Sequence, residues 1–148
     1  MSQTMQSETG KIESMLLKHA RDAFIDQPTI DRQWRALGYT ARPHFDKALE
    51  EYDAFVALLA QFDIDITFAA QNSSTGLDSI YVRDASIVCD RGAILCNMGK
   101  AAREPEPAAS RPAYDTIDLP ILGILDGEAR VEGGDVAWLD QHTLAIAE

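Results

Sequence analysis

Two short stretches hold the residue types from which a binding or catalytic site could be built. The first, Asp78-Ser79-Ile80-Tyr81-Val82-Arg83-Asp84, carries an acid at each end. In a regular strand the side chains would alternate, so that Asp78, Ile80, Val82 and Asp84 share one face. Two acids flanking two aliphatics is not a core pattern. The pair either caps the two ends of a strand or holds a cation. The second stretch is Glu132-Gly133-Gly134-Asp135. Paired glycines inside a strand pattern mark a bulge or the close approach of a backbone or ligand. A hairpin turn is the plainer alternative, although Val131, Val136 and Trp138 predict that the strand continues through. His19, His44 and His142 are scattered and read as surface or capping side chains. Cys89 and Cys96 lie without zinc-site spacing and read as reduced, buried thiols, with a cross-strand pair or a reactive thiol as the alternative. Neither a Ser-His-Asp arrangement nor a phosphate-cradling glycine loop can be argued.

Charge adds to this. Thirteen Lys and Arg face 24 Asp and Glu across 148 residues, a formal net charge of −11. That balance disfavours nucleic acid and anionic membrane surfaces as partners. Residues 1–62 carry a net −2 and residues 63–148 a net −9, so the acids concentrate where the two stretches lie. They either form a solvated acidic surface or converge on a cationic ligand such as a guanidinium or amine. No apolar run approaches the ~18 residues needed to span a bilayer. The N-terminus lacks a basic segment followed by an apolar run, and the expectation is a cytoplasmic protein. At 46 % hydrophobic and 25 % charged, the chain is expected to be globular.

The elements that must position these residues follow from periodicity. Residues 1–10 read as a disordered leader. Lys11 to His19 reads as a strand or a short helix, and the stretch with Trp34 and Tyr39 as an irregular loop. Ala48, Tyr52, Phe55, Val56, Leu59 and Phe62 recur at spacings of three and four, which predicts an amphipathic helix from Pro43 to Phe62 packed on a sheet. Ile64, Ile66 and Phe68 alternate with polar residues as a strand. Leu77 to Cys89 and Ala93 to Cys96 form a strand pair about the turn Asp90-Arg91-Gly92. Arg103 to Tyr114, with three prolines, is a short helix or an exposed connection. Leu119 to Leu125, Val131 to Leu139 and Thr143 to Ala147 complete an α/β order, the last residues reading as a strand that stops before a turn.

Taken in order, Thr75-Gly76-Leu77 with Asp78 to Asp84, then Met98-Gly99-Lys100 with Arg103-Glu104, then Val131-Glu132-Gly133-Gly134-Asp135-Val136 resemble the guanidine-modifying (pentein) superfamily. That group comprises dimethylarginine dimethylaminohydrolases, arginine deiminases and amidinotransferases. The similarity runs from about residue 43 onward, with a weaker trace in Leu16 to Phe24, and its spacing is closest to the dimethylarginine hydrolases.

The resemblance implies a five-module ββαβ α/β propeller, of which residues 11–148 would be about half, cut before the catalytic His and Cys. It implies that Asp84 binds the substrate guanidinium, Asp78 lies near its amino-acid end and Arg103 contacts its carboxylate. Glu132 would hold the guanidinium and assist the general base, with Asp135 supporting it from behind. It implies a small guanidino substrate, C–N hydrolysis to citrulline plus an amine, no metal or organic cofactor, and leaves a homodimer open. Cys89 and Cys96 sit in the wrong place for the nucleophile, and the chain alone is expected to be inactive. Arg83 departs from the dimethylarginine hydrolases, which carry an acid there. It leaves arginine deiminase and amidinotransferase as alternatives, beside a non-catalytic arginine-binding module or a remnant.

Overall fold

The computed structural model describes residues 4–147. Strand β1 (Ser14–Leu17) pairs in parallel with β2 (Asp65–Phe68), Ser14 opposite Asp65 and Leu17 opposite Phe68. Between them lie helices α1 (Ala20–Phe24), α2 (Gln27–Gln33) and α3 (Phe45–Leu59). Strands β3 (Ser86–Cys89) and β4 (Gly92–Leu95) form the expected hairpin, and β5 (Ile121–Ile124) adds in parallel to β4. Two short helices, α4 (Glu106–Ala109) and α5 (Arg111–Thr116), connect β4 to β5. Strands β6 (Val136–Asp140) and β7 (Thr143–Ile146) close an antiparallel hairpin. The fold is mixed α/β, with three small sheets of two, three and two strands among the described residues.

Several expectations are corrected. The stretch between His19 and Pro43 that carries Trp34 and Tyr39 is not all loop: α1 and α2 fill its first part, Asp26 capping α2 by accepting from the Thr29 amide, while residues 34–39 are turn and irregular as expected. Helix α3 packs on the helical core. Phe45, Ala48, Leu49 and Tyr52 pack against Ala20, Ala23, Phe24, Ile30, Leu37 and Leu77, while Phe55, Leu58 and Phe62 stay exposed. His19 does cap, accepting at Nδ1 from the Arg21 amide, and its Nε2 contacts Asp53 of α3 at 3.0 Å. A second core gathers Ile87, Cys96, Met98 and Val136, and a third Ala93, Leu95, Tyr114 and Leu119.

The largest correction concerns the two acidic stretches. Leu77 to Ala85 is not strand but two consecutive 3₁₀ turns, Leu77–Ile80 and Val82–Ala85, with β3 starting only at Ser86. Fully buried Leu77 anchors the first turn in the helical core, and its amide donates to the Gln33 side chain. Gly133–Asp135 is likewise a 3₁₀ turn rather than a continuing strand. It presses against the second turn so closely that a Cβ at Gly133 would clash with the Arg83 carbonyl oxygen.

Of the segment read as a leader, residues 1–3 lie outside the described residues. Residues 4–10 have no regular element. Thr4 Oγ1 donates to Asp90, and Glu8 accepts from the Trp138 amide and from Arg83.

Because the Gly133 contact is backbone on backbone, Gly133→Ala should destabilise the fold by at least about 3 kcal/mol. At Gly134 the added methyl meets only the Asp84 carboxylate, at 2.9 Å, which can move. Gly134→Ala should therefore cost less than about 1 kcal/mol. Urea denaturation of both variants checks the difference, and equal losses would contradict the packing argument.

Candidate functional site

Tandem 3₁₀ turns advance three residues per turn, and Asp78, Tyr81 and Asp84 follow at intervals of three. All three line one open cleft of about 450 Å³ together with Leu37, Lys100 and Arg103. Asp78 is almost wholly buried, and its Oδ2 accepts from Lys100 Nζ at 3.1 Å. The Lys100 ammonium also donates to the Leu37 carbonyl at 3.0 Å. At the cleft wall the Tyr39 hydroxyl is buried with no hydrogen-bond partner among the described residues. Burial chiefly, then the charge of Asp78, raises the pKa of that phenol.

Arg103 is the centre of the cluster. It is 5 % exposed, on the 3₁₀ turn Ala101–Arg103 that follows β4. Nε and Nη2 form a fork on Glu106, with Nη2 to Oε2 at 2.8 Å. Nη1 donates to Asp84 Oδ2 at 2.9 Å and to Glu132 Oε2 at 3.3 Å, and Nη2 also reaches the Asp78 carbonyl. Burial works against the charge of Arg103, but the hydrogen bonds and charges of Glu106 and Asp84 outweigh it and raise its pKa. Burial dominates at Glu106 and holds its carboxyl above the ordinary range, with Arg103 opposing.

Glu132 Oε1 accepts from the Gly99 amide at 2.9 Å. Asp135 Oδ2 accepts from the Glu132 amide at 2.9 Å and so fixes the backbone that presents Glu132. The structure thus brings Asp84, Arg103 and Glu132 into direct contact, places Asp78 along the same cleft and leaves Asp135 behind Glu132. Glu106 was missed. Its position three residues after Arg103 on a helical turn was the available signal, hidden by the proline-rich reading of that segment.

No protein-family model matches the chain. It is 25 % identical over 104 residues to N(G),N(G)-dimethylarginine dimethylaminohydrolase of Pseudomonas aeruginosa, a match covering 70 % of this chain and 41 % of the relative. Among solved structures, a mutant dimethylarginine dimethylaminohydrolase from Pseudomonas aeruginosa complexed with citrulline superposes with a TM-score of 0.66 at 22 % identity. That match covers 86 % of this chain and 47 % of the other. This chain shares its fold with the guanidine-modifying superfamily. The N-terminal domain of ArgZ, an arginine dihydrolase from cyanobacteria bound to its product, also superposes, with a TM-score of 0.62 at 14 % identity over 85 % of this chain and 44 % of that one. The chain spans less than half the length of each of these pentein relatives.

Neither cysteine enters the cleft lining. Burial first, then the nearby Glu132, Asp135 and Asp84, pushes the Cys96 thiol up to about 11, the opposite of what a thiolate nucleophile needs. Among the described residues no group of three or more His, Cys, Asp or Glu side chains is arranged to hold a metal ion. No described helix is long and apolar enough to cross a membrane.

Alkylation of the native protein at pH 8 should label half-buried Cys89 and spare Cys96 until denaturant is added. Equal rates by peptide mass spectrometry would contradict the burial of Cys96. Arg103→Met should cost about 3–5 kcal/mol at pH 7, because it strands three carboxylates together. Those acids would then repel and bind protons more readily folded than unfolded. Their raised folded pKa values make the variant's stability greatest at low pH and progressively lost as pH rises. Melting curves of variant and parent at pH 7 and about pH 5 check this, and a gap that does not narrow at the lower pH would contradict it.

Proposed function

We propose that this chain is the guanidinium-binding portion of a pentein enzyme that hydrolyses a C–N bond of arginine or an N-methylated arginine, giving citrulline plus an amine. The observation that carries the reading is the arrangement around Arg103: three carboxylates from separate segments surround one planar guanidinium. One cation against three acids leaves negative charge in excess. Asp84 Oδ1 has no donor among the described residues, so an N–H of a ligand guanidinium has an acceptor there. A planar cation with paired donors suits two carboxylates held on rigid turns, which fix its plane and leave its central carbon open to attack from either face of that plane.

In this reading Asp84 and Glu132 hold the guanidinium, Asp78 takes the ammonium at the amino-acid end, and Asp135 keeps Glu132 in place. The attacking thiolate and the histidine that moves its proton come from polypeptide outside these 148 residues. The half-length match to the hydrolases, and three small sheets in place of a closed ring, support reading the chain as part of an α/β propeller.

Isothermal titration of the chain with L-arginine and with N-methylated arginine tests the reading. Binding is expected, and Asp84→Asn should weaken it at least about tenfold, the loss of one charge-assisted contact. Unchanged affinity in both Asp84→Asn and Glu132→Gln, with melting curves like the parent's, would overturn the assignment.

A further inference from the structure

Behind Arg103 lies a second buried cation. Lys18, which follows β1, is 4 % exposed, and its Nζ donates to the Thr75 hydroxyl at 3.3 Å. An ammonium has three N–H donors, so two have no protein acceptor among the described residues, and a buried charge requires them filled. Lys18 lines a cavity of about 20 Å³ together with Thr75, Ser79, Glu106 and Ser110. A single water needs about 10–15 Å³ of such space and two to four polar partners. The cavity has room for one.

Its walls offer the matching partners. Ser79 Oγ already donates to the Gly76 carbonyl at 2.7 Å and Ser110 Oγ to the Glu106 carbonyl at 2.9 Å, so both hydroxyls have only lone pairs left for the cavity. Glu106 is 3 % exposed, and among the described residues its carboxylate accepts only from Arg103. A water that accepts from Lys18 Nζ can give one hydrogen to the Glu106 carboxylate and the other to a serine oxygen. All three of its bonds are then made.

Glu106 needs the second cation. Burial and the charges of Asp78 and Asp84 favour its protonated form, and Arg103, which opposes them, is shared with Asp84 and Glu132. Burial likewise disfavours the charge of Lys18, against the pull of Glu106 and Asp22. We propose that Lys18, through one water in this cavity, anchors the Glu106 carboxylate and is thereby a positioning residue for Arg103 and the Asp84–Glu132 pair. Its effect on a ligand rests on the guanidino-ligand reading above.

A crystal structure of the chain should show a water within about 3 Å of both Lys18 Nζ and a Glu106 oxygen. A dry cavity, or the two side chains in direct contact, would overturn the bridge. Melting curves test the pair. At about pH 8 Lys18→Met should lower the midpoint by at least about 4 °C. Without Lys18 the folded chain holds the Glu106 proton more tightly than the unfolded chain does, so the loss should shrink at about pH 5. In a Glu106→Gln background Lys18→Met should lower nothing, because it then removes a buried charge that has no counter-ion. Equal losses in both backgrounds would mark a merely structural role and overturn the pairing. Isothermal titration with L-arginine reads the consequence for the site, and its pH dependence runs the other way. Lys18→Met should bind within about threefold of the parent at about pH 8 and at least about tenfold more weakly at about pH 5, where protonated Glu106 releases Arg103 onto Asp84 and Glu132. A loss equal at both pH values would overturn the positioning role. If L-arginine does not bind the parent, the guanidino reading falls and the positioning role with it, while the melting curves still decide the Lys18–Glu106 pair.

Discussion

A buried guanidinium must have every N–H satisfied, and Arg103 imposes that demand on the rest of the molecule. Its partners come from four places along the chain: the two 3₁₀ turns at 77–85, the start of α4, and the residue before the Gly133–Asp135 turn. None of these segments belongs to a long helix or an extended sheet that could hold it by ladder hydrogen bonds. Their mutual placement depends on the ion pairs and on close backbone packing. Such a cluster need not be more stable than apolar residues of the same volume, since desolvating the charges offsets much of their attraction. Losing the central cation is a different matter, because three acids would then face one another.

The glycine pair serves the same end. Gly133 lets one turn press against the carbonyls of Arg83 and Ser86, and Gly134 leaves space for the Asp84 carboxylate. The Asp135 carboxylate then ties the turn to Glu132 by accepting from the Glu132 amide. The acids that touch Arg103 are therefore oriented by their own local turns, and Ile87, Cys96, Met98 and Val136 pack together in a separate apolar cluster. The site combines rigid anionic oxygens with a cleft open to solvent, which suits selection of a small cation.

Periodicity identified the elements whose signal is local. Strands β2, β5, β6 and β7, the β3–β4 hairpin and helix α3 lie within the segments that alternation, apolar runs or three-four spacing marked, mostly shortened at the ends, and Lys11 to His19, read as a strand or a short helix, holds strand β1. The grouping of Asp78 with Asp84 was also legible, but for the wrong reason. Six residues are three periods of a strand and two of a 3₁₀ turn, so either geometry aligns them. Tyr81 separates the two: alternation puts Ile80 and Val82 beside the acids, whereas the structure puts Tyr81 there. Helices α1 and α2 escaped because each is under two full turns and ends at residues that read as loop. Glu106 escaped because the neighbouring prolines, which suit the first turn of a short helix, also suit an exposed connection.

By itself the sequence determined an α/β chain with excess acid in its later part, and the acids whose order and spacing resemble the guanidine-modifying enzymes. Those properties reside in residue type and separation, which need no coordinates. Only the tertiary structure decided which cation meets which acid. Which N–H donors of Arg103 and Lys100 are engaged within the protein depends on oxygens contributed from residues 37, 78, 84, 106 and 132. Hydrogen-bond saturation is a count over neighbours in space, and spacing along a chain does not contain it.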